Sequence, residues 1–257
     1  MSHLSDILWI ELRKALRSRM PLWTALGFLL LPLVSTLMIF ILKNPELSRK
    51  LGLITAKANL LVGSADWPGY LKLLLQSAVI GGFFLFCFII SWVFGREFTD
   101  GTLKDLLAVP VPRSSLILGK FILVAIWSLA LALEIFVAGL LLGAIIKLPQ
   151  GTTAVILQGS FLLLVSSCLA IVTVMPFAFF ASVGRGYLLP LGMVIVVLIL
   201  ANTTIVTGWG DYFPWAIPGL LSQGYNLSPI SFVIVLLTGL IGIIATHLWW
   251  KYADQSR

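Results

Sequence analysis

Six apolar stretches divide this chain, and each is about as long as a bilayer is thick. A helix that crosses the hydrocarbon core needs about 20 mostly apolar residues. Residues 22–42, 71–94, 116–146, 154–183, 187–206 and 229–250 meet that requirement. Lys72 lies at the edge of the second stretch, and the third is long enough to tilt or to run beyond the core. None of the six alternates apolar with polar residues, as the strands of a membrane barrel would. Each crossing must satisfy its own backbone hydrogen bonds in lipid, which leaves only helices. The expected fold is all-α and integral to the membrane, a single transmembrane domain over residues 1–257.

Composition points the same way. Hydrophobic residues make up 60% of the 257 and charged residues 11%, whereas a soluble domain carries about 25% charged residues. The net charge is +7. No basic run alternates with aromatics, so no nucleic acid is expected as a partner. The cations read instead as orientation signals and anchors at the lipid bilayer surface. Cys87 and Cys168 both fall in apolar runs, build no CxxC or Cys/His cluster, and are expected to be buried small side chains. The chain has no GxxxxGK[ST], GxSxG or HExxH, and its two histidines, His3 and His247, stand at opposite ends. No catalytic residue, metal site or cofactor of its own is expected. The first apolar run is too long for a cleavable signal and no A-x-A-like site follows it, so it is expected to stay in the membrane.

Ahead of the first crossing, "SHLSDILWIELRKALRSRM" places Leu4, Ile7, Leu8, Glu11, Leu12, Ala15, Leu16 and Arg19 at helical spacing, with the apolar members on one face. Its cations come late, where the helix dipole favours them. Residues 1–20 therefore read as an amphipathic helix lying in the interface, with Pro21 at the bend into the membrane. With that helix inside, the inner loops hold eleven Lys and Arg against six outside. Both termini are then expected in the cytoplasm. Two outer segments are unusual. Residues 44–70 are long enough for a small helix. Residues 207–228 are too apolar for a free loop and too broken by Pro214 and Pro218 for a crossing, so short re-entrant helices fit there.

The charges gather in "GREFTDGTLKDLLAVPVPRSSLILGKF", within the inner segment 95–113 and just after it. Thr102 and Asp105 are spaced as a capping box, and Gly101 lets the chain turn. Leu103, Leu106 and Leu107 share one face of a short helix that Pro110 ends. Two turns are not stable alone in water, so something must hold them. A plain solvated loop that only fixes topology has the same composition. The segment resembles the signature of ABC-2 type transporter permeases, in which the acidic turn and "GTLKxLLxxPVxR" follow the second crossing. Within that family the chain is similar to permeases of the peptide-antibiotic, lantibiotic-immunity and sodium-extrusion exporters of bacteria.

That resemblance implies a permease in the bacterial cytoplasmic membrane, paired with a second copy and engaging a separate cytoplasmic ABC ATPase subunit that binds ATP and Mg. Residues 95–113 would be the coupling segment. Glu97, Phe98, Asp100, Gly101, Thr102, Leu103, Lys104, Asp105, Leu106 and Leu107 would meet the ATPase, with the leucines as the packing face. The cargo would be an amphipathic, peptide- or lipid-like molecule. Glu134, midway along the third crossing, is a costly group there. It reads either as a point on the translocation path or as a buried acid tying helices together through Gln158 or Ser166. A stand-alone secondary transporter or channel using Glu134 is the alternative function.

Overall fold

The computed structural model describes residues 2–44, 46, 64–102 and 111–253, and every regular element among them is helical. Helix α1 (Ser2–Arg17) precedes α2 (Met20–Lys43). Then follow α3 (Trp67–Thr99), α4 (Arg113–Ile145), α5 (Thr153–Val174), α6 (Phe177–Val183) and α7 (Leu188–Val206). A 3-10 turn (Gly210–Tyr212) and a short helix, α8 (Ile217–Ser222), lead into α9 (Pro229–Tyr252). Among the described residues six helical stretches are long and apolar enough to cross a membrane, with α5 and α6 together forming one.

Local chemistry sets the element ends. The Ser18 hydroxyl donates to the Ala15 carbonyl (2.6 Å) as α1 stops, and Pro21 sits in the first turn of α2, where a missing N–H costs nothing. Asp66 caps α3 by accepting from the Gly69 N–H (2.9 Å). The fourth crossing differs from the unbroken 154–183 stretch expected from sequence. It breaks at Met175–Pro176, because proline brings no N–H to continue the ladder. Helix α9 packs against that break: a Cβ on Gly242 would lie 2.5 Å from the Pro176 backbone nitrogen.

Helix α3 is the centre of the bundle and touches α2, α4, α5, α6, α7 and α8. It is mostly apolar around its circumference, and those helices bury the larger part of it, with Lys72, Ile80 and Phe84 left exposed. Gly143 admits it against α4; a Cβ there would come within 2.7 Å of the Trp67 ring. The crossings alternate in direction. The last turn of α3, the first of α4 and the last of α9 therefore meet beside α1, where Arg113 donates to the Trp250 carbonyl (2.9 Å). The start of α3 and the end of α4 meet at the opposite end, together with α8.

Three expectations need correction. Cys168 is exposed, because its position on α5 points away from α3, whereas Cys87 is buried inside α3. Leu16 is also exposed, so the buried face of α1 is Ile7, Glu11 and Ala15, with a carboxylate at its middle. Glu134 is half-buried and makes no hydrogen bond to any described residue, Gln158 and Ser166 included. The short helices expected within 207–228 are present as the 3-10 turn and α8. The short helix expected over 102–109 and most of the 44–70 segment lie outside the described residues.

Candidate functional site

Five ionic side chains converge where α1 crosses the ends of α3 and α4. Lys120, on α4 next to Phe121, is fully buried. Its ammonium donates to Glu11 Oε2 (3.1 Å), Glu97 Oε1 (3.0 Å) and the Val93 carbonyl (3.3 Å), so all three of its protons are used. Lys14 bridges Glu11 Oε1 (3.2 Å) and Glu97 Oε1 (3.3 Å) from the rim. Arg96 closes the ring, with Nη2 3.4 Å from Glu11 Oε2 and Nε 3.6 Å from Glu97 Oε1. Its guanidinium lies over the Trp92 ring at 4.5 Å. The second Glu97 oxygen accepts from the Thr102 hydroxyl at 2.7 Å.

Three elements supply the five partners, Lys14 sharing α1 with Glu11. Glu11 comes from the buried face of α1, Arg96 and Glu97 from the last turn of α3, and Lys120 from the second turn of α4. Taking four of these charges out of water is costly, and the cost is recovered only when the lone pairs and protons find partners. Burial alone would push the Glu11 carboxyl up; Lys120, Lys14 and Arg96 outweigh it and hold that carboxyl below its ordinary value. The product is a bolt. It fastens the amphipathic helix to two crossings at the point where the chain leaves α3.

The residues expected to contact an ATPase divide in two here. Asp100, Gly101 and Thr102 are exposed, and Gly101 takes a positive φ of 70°, which lets the chain turn out of α3. Phe98 is half-buried and edge-on to Trp250 at 5.9 Å. Glu97 is only 3% exposed and faces inward, so its carboxylate serves the cluster and not a surface. The Thr102 hydroxyl donates its hydrogen bond to Glu97. Leu103, Lys104, Asp105, Leu106 and Leu107 lie outside the described residues. A cavity of about 630 Å³ opens beside the cluster, and both Thr102 and Val111, on either side of that segment, line it.

Sequence reasoning missed the pairing of Glu11 with Lys120. The signal was present: a carboxylate in the middle of an apolar helix face, and a lysine inside "LGKFIL", each require a buried partner.

A second cavity, about 510 Å³, lies at the far end between α3, α7 and α8. Phe83, Trp215 and aliphatic side chains form most of its wall, and no ionisable residue lines it. Its polar groups are amides and a hydroxyl: Gln76, Asn202, Ser222 and Gln223. Gln76 and Asn202 make no side-chain hydrogen bond to the described residues. Glu134 does not line this cavity.

Two comparisons bear on this arrangement. The profile of the family described as ABC-2 family transporter protein matches residues 7–202, which hold the whole ionic cluster. The chain is also 29% identical over 174 residues to the bacitracin transport permease protein BCRB of Bacillus licheniformis; that alignment covers 66% of this chain and 84% of the relative.

Proposed function

Since the chain belongs to the ABC-2 family of transporters, as a multi-pass membrane subunit, we propose that it is the permease of an exporter driven by ATP hydrolysis in a separate nucleotide-binding subunit. The observation that carries the reading is the ionic bolt. A push on residues 103–110 reaches Thr102, and Thr102 holds Glu97. Glu97 is tied to Lys120 of α4, which is tied to Glu11 of α1. The force therefore moves three elements together instead of fraying one helix end.

Helix α3 carries the motion across the bundle. It is unbroken over 33 residues. At 1.5 Å per residue, Glu97 and the Gln76 rung of the far cavity are about 32 Å apart on one rigid rod. The cavity suits an amphipathic cargo, because it offers apolar walls with uncharged hydrogen-bonding groups. The bacitracin permease among its relatives makes peptide antibiotics of the bacitracin kind the first cargo to test. A second copy completes the pathway: α2, α7 and α9 are mostly exposed, which leaves six helices a thin wall. The end carrying α1 faces the cytoplasm, where the excess of Lys and Arg belongs.

The test is capture and stimulation. Tagged chain is purified from its native membrane, and the co-purifying protein must contain a nucleotide-binding P-loop and hydrolyse ATP faster with the permease than without it. Leu106→Asp is expected to abolish co-purification while leaving membrane insertion intact. Retention of the ATPase by that variant overturns the coupling assignment.

A further inference from the structure

Lys72 is an unusual cation. It lies five residues into α3, about 8 Å along the helix from its start, and it is exposed. It forms no ion pair among the described residues, and residues 47–63, the neighbouring stretch outside them, contain no acid. The five charges of the ionic cluster pair with one another; Lys72 has no opposite partner among the described residues.

Its surroundings are selective. Lys72 lines a cavity of about 270 Å³ formed by α3, α5 and the end of α8. Gln158, Ser222 and Gln223 supply the other polar groups, and no carboxylate lines it. Gln158 makes no hydrogen bond to the described residues. Gln223 gives its amide to the Gly219 carbonyl (3.3 Å). Gly159 lets α5 approach closely; a Cβ there would lie 2.7 Å from Leu71. Ser222 and Gln223 also line the 510 Å³ cavity, so the two spaces adjoin. Gln76, one turn beyond Lys72 on the same face of α3, opens into the larger one.

We propose that these adjoining cavities form one binding site for an anionic amphiphile, with Lys72 and Gln158 holding a phosphate or carboxylate head and the apolar cavity beside Phe83 and Trp215 taking a hydrocarbon chain. A strongly hydrated free anion has no use for the apolar half. An uncharged amphiphile leaves Lys72 unpaired at the membrane rim. Only a ligand with both parts satisfies both cavities. Two sources carry that chemistry, an anionic membrane lipid and a single-chain cargo. The proposal deepens the exporter reading by naming a head-group charge, yet binding at this site requires no ATPase.

Trp215 is a built-in reporter. It lines the larger cavity, and its indole N–H is fixed on the Thr173 carbonyl (2.8 Å). The purified full chain is placed in nanodiscs of phosphatidylcholine containing a fixed fraction of bromo-acyl lipid, and tryptophan quenching is read. Brominated phosphatidylglycerol is expected to quench more than brominated phosphatidylcholine at equal fraction. Trp215→Phe should remove that excess. Lys72→Gln should weaken the lipid's relative binding constant by about fivefold, the factor one lysine contributes near an anionic headgroup, and Lys72→Arg should restore it.

Dodecyl phosphate is expected to displace the brominated lipid, and inorganic phosphate is not. Excess quenching by the anionic lipid assigns the source to the membrane. Protection of Trp215 by dodecyl phosphate alone assigns it to a single-chain cargo. An excess unchanged in Lys72→Gln, an excess that survives Trp215→Phe, or displacement by inorganic phosphate overturns the site. A chain with no ATPase partner would still show the binding, so failure of the exporter reading leaves a different signature.

Discussion

Removal of charges from the cluster should follow an order that counting bonds alone does not give. The cluster holds three cations and two carboxylates. Lys120→Met deletes the most buried member and three of its contacts, yet leaves two cations on two carboxylates. Glu11 keeps Lys14 and Arg96, and Glu97 keeps the same two with Thr102. Glu11→Gln leaves three cations sharing Glu97 alone. Breaking a buried pair costs about 3–5 kcal/mol because the surviving charge is stranded. Lys120→Met belongs at the low end of that range and Glu11→Gln at the high end. For a chain of this size the first corresponds to a fall in melting temperature of about 6–12 °C. The double variant, with two cations on one carboxylate, should lose at least about 1 kcal/mol less than the sum, since the groups share partners. Thermal unfolding in detergent, followed by tryptophan fluorescence, gives the order directly. A Lys120→Met chain as stable as wild type, or one less stable than Glu11→Gln, would falsify the picture of a cluster closed on itself.

Other outcomes follow from single contacts. The Glu11 carboxyl is held below its ordinary value of 4.5, so its contribution to stability is present above that pH and lost as pH falls through the lowered value. A melting curve against pH should drop below about 4.5, and Glu11→Gln should flatten that drop. Thr102→Val removes one hydrogen bond, worth about 1.5–3 kcal/mol when the acceptor is a carboxylate; transport should fall while co-purification with the ATPase is retained. Gly143→Val drives a side chain into Trp67 and should cost about 1–3 kcal/mol by overpacking, read as a lower melting temperature. Gly101→Ala forces an alanine to a φ of 70°, costs about 1–2 kcal/mol, and should lower ATPase stimulation more than it lowers stability.

What the sequence revealed and what it hid divide along physical lines. The crossings were legible because hydrophobic length is a local property, so residues 22–42 and 229–250 reappear within α2 and α9. The break at Pro176 was readable in principle, but a long apolar run masks a proline whose freed carbonyl is covered by a neighbouring helix. Exposure was not legible. Leu16 and Ile7 look alike in a helical pattern, and only the position of α4 decides which is covered. Pairings such as Glu11 with Lys120, 109 residues apart, depend on tertiary approach and leave only indirect traces. Glu97 shows the limit most clearly. Its place in a charged motif suggested a surface contact, while the fold turns it inward.

The two ends of α3 differ in a way that bears on coupling. At the Glu97 end three cations and two carboxylates answer one another inside the chain, and the cluster resists deformation. At the Lys72 end a cation and three amides, those of Gln76, Gln158 and Asn202, have no side-chain partner among the described residues, and the walls are Gln, Asn, Ser and apolar carbons. A rod fastened at one end and unsatisfied at the other transmits displacement and does not absorb it. A ligand that satisfies Lys72 and Gln76 in one position of α3 and loses them in another is released by the motion itself, since it can shift or respond to the equilibrium only by its difference in affinity for the two positions. Pairing worth about 1 kcal/mol at Lys72 gives about a fivefold difference in affinity between the positions. On the proposed motion of α3 against α7, the remaining discrimination comes from the cavity between α3, α7 and α8.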